Sequence, residues 1–278
     1  MSDELDELAG EDGVHRGTGL LLPEPGFVSS FPVFESVQPM LDWDEIERIA
    51  KSGEADKRST FTEDWIQYQR DKSSCNGYAT AAALSRTRYR RGLGKMLLSG
   101  AYIYSLINGG RDRGSMLEDG MRAVQERGIA TEATVPWDRI YTNSYPAAAN
   151  SEAERFKGFE CYAVRSKQAL YSALALGFDC VVAVHADASF DRIDGKGIAG
   201  PGRGPGNHAV MADGLRWEGE VVENGVNSWS TRWGDRGRMG MTWERHHATT
   251  NAYHVLYAIR SASDDPQGDN PPAVRNAA

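Results

Sequence analysis

Apolar spacing divides the chain into a helical first half and a strand-rich second half. The run Leu41–Lys51 predicts a short helix that stops at Gly53. After Cys75, the residues Tyr78, Ala81, Ala82, Ser85 and Tyr89 fall at the 0, 3, 4, 7, 11 spacing of one buried helical face. The alanines between them favour helix, so Cys75 is expected at or near a helix N-terminus. Ser115-Met116-Leu117-Glu118 has the form of a capping box and predicts a helix that closes near Gly128. Ser166–Tyr171 opens another, ended at Gly177. Beyond it the pattern turns to short apolar strands separated by glycine-rich loops, of which Gly195–Gly206 is the longest and is expected to form a mobile rim. His208 opens one of these strands. Residues 1–30 are polar and carry Gly17, Gly19, Pro23, Pro25 and Gly26, the composition of an arm that orders only by docking on something. Residues 261–278 read as a flexible tail. There is no internal repeat.

Four positions stand out for their chemistry. Gln69 lies six residues before Cys75. His208 follows 208 − 75 = 133 residues after it, and Asn227 another 227 − 208 = 19 residues on, in Asn227-Ser228-Trp229-Ser230-Thr231-Arg232-Trp233-Gly234. Together they provide the parts of thiol acyl transfer: a nucleophile, an amide donor for an oxyanion, a base and an amide to orient that base. Unpaired N–H groups and the helix dipole favour an anion at Cys75, and an imidazolium beside it would add to the effect, so a lowered thiol pKa is expected. Arg86, Arg88, Arg90 and Arg91 lie towards the other end of the same helix and are read as a solvated cluster.

In order and gaps this set resembles the papain-like cysteine proteases, from about Trp65 to Tyr257. The 133-residue separation falls within the ~130–150 typical of that family. The resemblance implies an α+β fold of two lobes, a helical left lobe carrying Cys75 and an antiparallel β-barrel right lobe carrying His208 and Asn227, with the cleft between them. Leu98–Tyr104 then corresponds to the second left-lobe helix, Asp179–Ala186 to the first barrel strand, and Gly225–Met241 to the hairpin bearing Asn227. The implied reaction is peptide-bond hydrolysis. Cys75, His208 and Asn227 are catalytic. Gln69 and the Cys75 amide form the oxyanion hole, and Trp229 shields the histidine–asparagine bond. Gly114 and Ser115 are the first choice for the segment that pairs with substrate backbone, and Gly109-Gly110 the second. Ala209 is expected beside a specificity pocket. Two departures are plain: Asn76 stands where the family has tryptophan, and Lys72 where it has a disulfide-bonded cysteine.

The domain plan that follows is an arm over 1–64, a protease domain over 65–260 and a tail over 261–278. The arm looks too short and too poor in helical pattern to be the family's usual inhibitory segment. At 278 residues with 40% hydrophobic content, the chain can hold one large domain or two fused lobes. A net charge of −8 and a pI near 5.3 disfavour nucleic acid and anionic membrane as partners. No phosphate loop, dinucleotide fingerprint or zinc spacing appears, so no cofactor or metal is expected, and His246-His247 is read as a solvated turn. Cys161 and Cys180 could pair with each other, but are expected as free, buried thiols. Because the acidic N-terminus has no apolar core, the expected location is the cytoplasm or a virion, not general secretory export. The expected partner is a peptide or protein substrate. Two other readings fit the same residues: a structural protein of a phage particle or other assembly, docked on its neighbours through the arm, and acyl transfer to an amine instead of water.

Overall fold

Helices fill the first half of the structure and a sheet the second. The computed structural model describes residues 8–9, 15–139, 145, 147–248 and 256–263. The chain order is β1 (Leu8–Ala9), β2 (His15–Arg16), α1 (Phe34–Val37), α2 (Trp43–Ser52), α3 (Cys75–Arg90), α4 (Gly100–Ile107), α5 (Leu117–Glu126), α6 (Ala147–Arg155), β3 (Gly158–Val164), α7 (Lys167–Ala175), β4 (Asp179–Val184), β5 (His208–Trp217), β6 (Val221–Val226), β7 (Arg238–Met241) and β8 (Leu256–Ala262). The Leu41–Lys51 pattern becomes α2, capped by the Asp42 carboxylate at one end and by left-handed Gly53 at the other. Ser166 caps α7 in the same way, through the Ala169 N–H. The capping box at Ser115 does not form. The helix begins two residues later with Met116 at its N-cap, because the Ser115 hydroxyl and the Glu118 carboxylate both have tertiary partners.

β3, β8, β4, β5, β6 and β7 form one antiparallel sheet in that order. Strand alternation splits its side chains between two cores. Val181, Ala183, Ala209, Met211, Tyr257 and Ile259 face α3, α4 and α5, whereas Cys180, Val182, Val184, Val210, Ala212 and Ala258 face α1, α2 and α7. The sheet is open, not the closed barrel expected. Closure would require β7 to pair with β3, but both outer edges are already met by loop backbone: Ala163 of β3 bridges Val33, and Gly240 of β7 bridges Ile198. These contacts cover the edges without closing the sheet. Cys161 on β3 and Cys180 on β4 are free and buried, as expected. With β8 between their strands, they lie two strand spacings apart, about 10 Å, beyond disulfide reach.

Helix α3 crosses the sheet against β4, β5 and β8. Alanines at 79, 81, 82 and 83 bring its backbone close to the strands, and Gly77 and Gly100 allow the same approach to α4. It is buried all round from Cys75 to Arg88 rather than along one face; Tyr89 is where it meets solvent. The arginine cluster is therefore not a solvated helix end. Arg86 is 0% exposed and lies 3.3 Å from Asp213, whose carboxylate also takes 2.8 and 3.2 Å hydrogen bonds from Arg238 of β7. Arg88 stacks on Phe156 and donates to the Ser263 carbonyl, and Arg90 pairs with Asp179. Burial opposes ionisation of Asp213, but the guanidinium groups of Arg238 and Arg86 hold its carboxyl below the usual range.

His246-His247 also departs from expectation. Both rings are buried in a π-helical turn, His246 against the Thr242 and Ala199 carbonyls and His247 between the Ala183 carbonyl and Glu223. The 195–206 segment is tied back to the domain by hydrogen bonds from Gly200 to Arg192, Arg203 to Asp187 and Ala199 to Gly240.

Asp213 joins α3, β5 and β7, so its removal strands two buried guanidinium groups. Asp213→Ala is expected to destabilise the chain by about 3–5 kcal/mol in urea unfolding. A loss under 1 kcal/mol would mean that this cluster does not hold the helix to the sheet.

Candidate active site

Cys75 is the first residue of α3 and is completely buried. The backbone N–H groups of Ala209, Asn76 and Cys75 itself act to lower the thiol pKa. Asn76, which stands where the family has tryptophan, is fully buried and has local partners. Its side-chain amide donates to the Ser115 hydroxyl at 3.1 Å and the Met116 carbonyl at 2.7 Å, and its oxygen accepts from Thr80. The helix start is thereby tied to the segment leading into α5.

His208 begins β5 and is also completely buried. Its Nε2 lies 2.9 Å from Asn227 Oδ1, which also accepts the Ser228 N–H at 2.8 Å. That second bond identifies the atom as the oxygen, so Nε2 carries the imidazole proton and Nδ1 bears the lone pair. Nδ1 has no hydrogen-bond partner among the described residues. The Trp229 indole stacks on the imidazole, with centroids 4.5 Å apart and planes at 27°, and covers the bond to Asn227.

Gln69 is held by the same loop. Its N–H donates to the Ser228 carbonyl at 2.8 Å, and its side-chain oxygen accepts the Ser228 hydroxyl at 2.5 Å. The amide nitrogen is thus turned the other way, towards the Lys72 carbonyl at 2.7 Å and the Gly17 carbonyl at 2.9 Å. Ser228 orients Gln69 as Asn227 orients His208. Its place in the Asn-Ser-Trp run was visible in the sequence, but its role was not. Asp112 was missed as well. It accepts the Ser73 N–H and the Tyr104 hydroxyl, while Tyr104 in turn accepts the Gly114 N–H, so it fixes the glycine-rich wall to the nucleophile loop.

Residues 16–21 of the arm lie in this cleft. Leu20 pairs with Ser115 in parallel, through hydrogen bonds from Ser115 to Gly19 and from Leu21 to Ser115. On the opposite wall, Gly19 and Leu20 both donate to the Asn207 carbonyl. Further along, the Gly17 carbonyl takes the Gln69 amide and the Trp229 indole N–H at 3.2 Å. Gly19 has φ +130, and a side chain there would collide with Ser73; Gly114 has φ +80, and a side chain would collide with Gly19. Of the expected substrate-binding residues, Gly114 and Ser115 present their backbone to the arm, and Trp229 caps its far end. Gly109-Gly110 is a separate turn closed by the Asn108 side chain. Ala209 is fully buried and lines a small space with Trp65, Tyr78, Ala82 and Val226.

This enclosure reverses the expected charge state. Burial pushes the Cys75 thiol up to about 12, against the smaller lowering by the three N–H groups. Burial likewise lowers His208 to about 4, partly offset by Asn227. Burial therefore favours a neutral thiol at Cys75 and a neutral imidazole at His208. The pKa of His208 in the folded chain lies below its unfolded value of about 6.5. Its contribution to stability is therefore complete above pH 6.5 and declines as the pH falls towards 4. The wild-type chain should lose on the order of 3 kcal/mol more than His208→Gln between pH 7.5 and 4 in urea unfolding. Parallel curves for the two proteins would show that the imidazole is not held neutral.

Residues 53–259 match the family described as papain family cysteine protease. No curated protein matches the chain. Among solved structures, it is similar to xylellain, a cysteine protease from Xylella fastidiosa, at 20% identity and TM-score 0.53 over 70% of this chain and 82% of that one. It is similar to procathepsin B S9 from Trypanosoma congolense at 18% identity and TM-score 0.59 over 89% and 87%. Digestive procathepsin L 3 of Tenebrio molitor larval midgut aligns at 16% identity and TM-score 0.55 over 87% and 75%. Identities this low speak for the fold; the match over 53–259 speaks for the family. The chain belongs to the papain family of cysteine proteases.

Proposed function

We propose that this cysteine peptidase cleaves peptide bonds through a Cys75 acyl-enzyme and is kept latent by its own residues 16–21. The observation that carries the reading is the Gly17 carbonyl on the Gln69 amide: the arm occupies the donor that a reacting carbonyl would need. When the arm leaves, water reaches both Cys75 and His208. His208 Nδ1 can then take the thiol proton, and the helix N-terminus favours the resulting thiolate. The thiolate attacks the substrate carbonyl carbon and forms a C–S bond, while the carbonyl electron pair moves to oxygen. The Gln69 amide and the Cys75 N–H hold that oxyanion. As the pair returns, the C–N bond breaks and the imidazolium gives its proton to the departing amine. His208 then deprotonates a water that attacks the thioester, releasing the acid and restoring the thiol. Asn227 keeps the ring in the tautomer this sequence needs, and Ser228 keeps the Gln69 amide aimed at the cleft. The rival reading as an inert scaffold draws support from the complete burial of Cys75; on the proposed reading the docked arm contributes to that burial.

Gly19→Val has no room in the docked arm and touches none of the reacting groups. It is expected to hydrolyse unstructured peptides at least tenfold faster than wild type, with Cys75→Ala abolishing turnover in either form while leaving the fold intact. Absence of Cys75-dependent hydrolysis in Gly19→Val would overturn the proposal. In the Gly19→Val background, Gln69→Ala should lower kcat by about 10²–10³ with a much smaller effect on KM. A rise in KM alone would show that Gln69 serves binding and not the oxyanion.

A further inference from the structure

The arm also reports on the chemistry of the cleft it fills, through Arg16. This residue is 5% exposed although it precedes the closely packed Gly17 by a single position. Its guanidinium lies 3.5 Å from Asp191 Oδ1, with its carbon 5.8 Å from the centre of the Trp229 indole. The receiving groups belong to the domain and not to the arm. Asp191 follows Phe190 in the turn after β4, its N–H bonded to the Asp187 carbonyl. The Trp233 indole N–H donates to Asp191 Oδ1 at 2.6 Å and fixes the carboxylate. Phe190 stacks on Trp233 and meets Trp229 edge-on, which makes an apolar floor. The side chain of Asp191 is only 9% exposed with Arg16 in place. A carboxylate this enclosed, with one indole donor, demands a cation whenever the cleft is filled. Once the arm withdraws, the demand passes to the occupant that replaces it.

We propose that Asp191, Trp229 and Trp233 form an arginine-binding subsite, and that Asp191 selects substrates with arginine next to the peptide carbonyl held by Gln69. The inference rests on reading the groove as a substrate cleft. Its position is set by Gly17, whose carbonyl sits on the Gln69 amide and the Trp229 indole N–H, so the neighbouring side chain falls against Asp191. Arginine suits the site better than lysine. A planar guanidinium can lie over the indole and reach the carboxylate together, whereas an ammonium is a strongly hydrated point charge. The same subsite gives the arm its foothold, because Arg16 occupies the place a substrate arginine would take.

The test uses the full chain carrying Gly19→Val and reads protection of Cys75 against iodoacetamide by short glycine–alanine peptides. Each peptide bears arginine, citrulline or lysine beside a central glycine. The arginine peptide is expected to protect at a concentration at least tenfold below the citrulline peptide, with lysine between them. Adding Asp191→Asn, which keeps a hydrogen-bond acceptor for Trp233, should erase the difference. Equal protection by arginine and citrulline, a preference that survives Asp191→Asn, or no protection by any peptide would each overturn the subsite. Protection with arginine preference but no cleavage would retain the subsite and sink the peptidase reading. Cleavage with no arginine preference would do the reverse. As a second measurement in the otherwise native chain, Arg16→Leu and Asp191→Asn should each speed Cys75 labelling severalfold, and the double variant no more than either alone. Additive effects would mean that the two residues hold the arm independently.

Discussion

Contact between α3 and β5 governs the rest of the molecule, because α3 begins at Cys75 and β5 at His208, two residues from distant parts of the chain. Alanine side chains let the helix lie close to the strand. At one end, the backbone of Ala209, the residue next to His208, acts to lower the Cys75 thiol pKa. At the other, Arg86 and Arg238 share the Asp213 carboxylate. An apolar contact alone would allow the helix to slide or turn, since dispersion and hydrophobic burial have little direction. A buried carboxylate between two guanidinium groups has direction, and it resists displacement because any shift leaves a charge uncompensated. The fold thus uses an ion cluster far from the cleft to keep the register of the cleft.

Above that foundation, each reacting group has a neighbour that orients it. Asn227 turns His208, Ser228 turns Gln69, Asn76 ties the Cys75 helix to Ser115, and Asp112 ties the glycine-rich wall to the nucleophile loop. Three of these four act through hydrogen bonds of side-chain amides or hydroxyls, which keep their geometry whether or not the neighbouring groups are charged. This matters for the proposed latency, in which the charge state of the site would change with the arm. In the closed form burial dominates over the helix terminus, and thiol and imidazole are both neutral. On the proposed opening that desolvation would lessen, and the same framework could then hold an ion pair.

The candidate set could be picked out in the sequence because its chemistry is concentrated in short runs of distinctive residue types and gaps. The lone cysteine before an alanine-rich stretch, the histidine at a strand start and the Asn-Ser-Trp run each carry local meaning, and α2 and α7 were legible from their caps. What local pattern misjudged was decided by distant partners. Arg86 and Arg88 looked solvated because Asp213 and Phe156 lie far along the chain. The Ser115 capping box was pre-empted by Asn76 and Tyr257. The open sheet, mistaken for a barrel, depends on which loops reach its edges, and no strand encodes that alone. The docking of residues 16–21 was hidden for another reason: Gly17 and Gly19 act through backbone and the absence of side chains, which leaves only a composition typical of any loose segment.

The central claim is that the arm alone keeps a competent thiolate–imidazolium pair from forming. The pH–rate profile of Cys75 alkylation, in wild type and in Gly19→Val, tests it most directly. The account predicts slow labelling of wild type that rises only at alkaline pH, and fast labelling of Gly19→Val with a plateau through neutral pH that disappears on adding His208→Ala. Superimposable profiles for wild type and Gly19→Val, or a plateau that persists without His208, would contradict it.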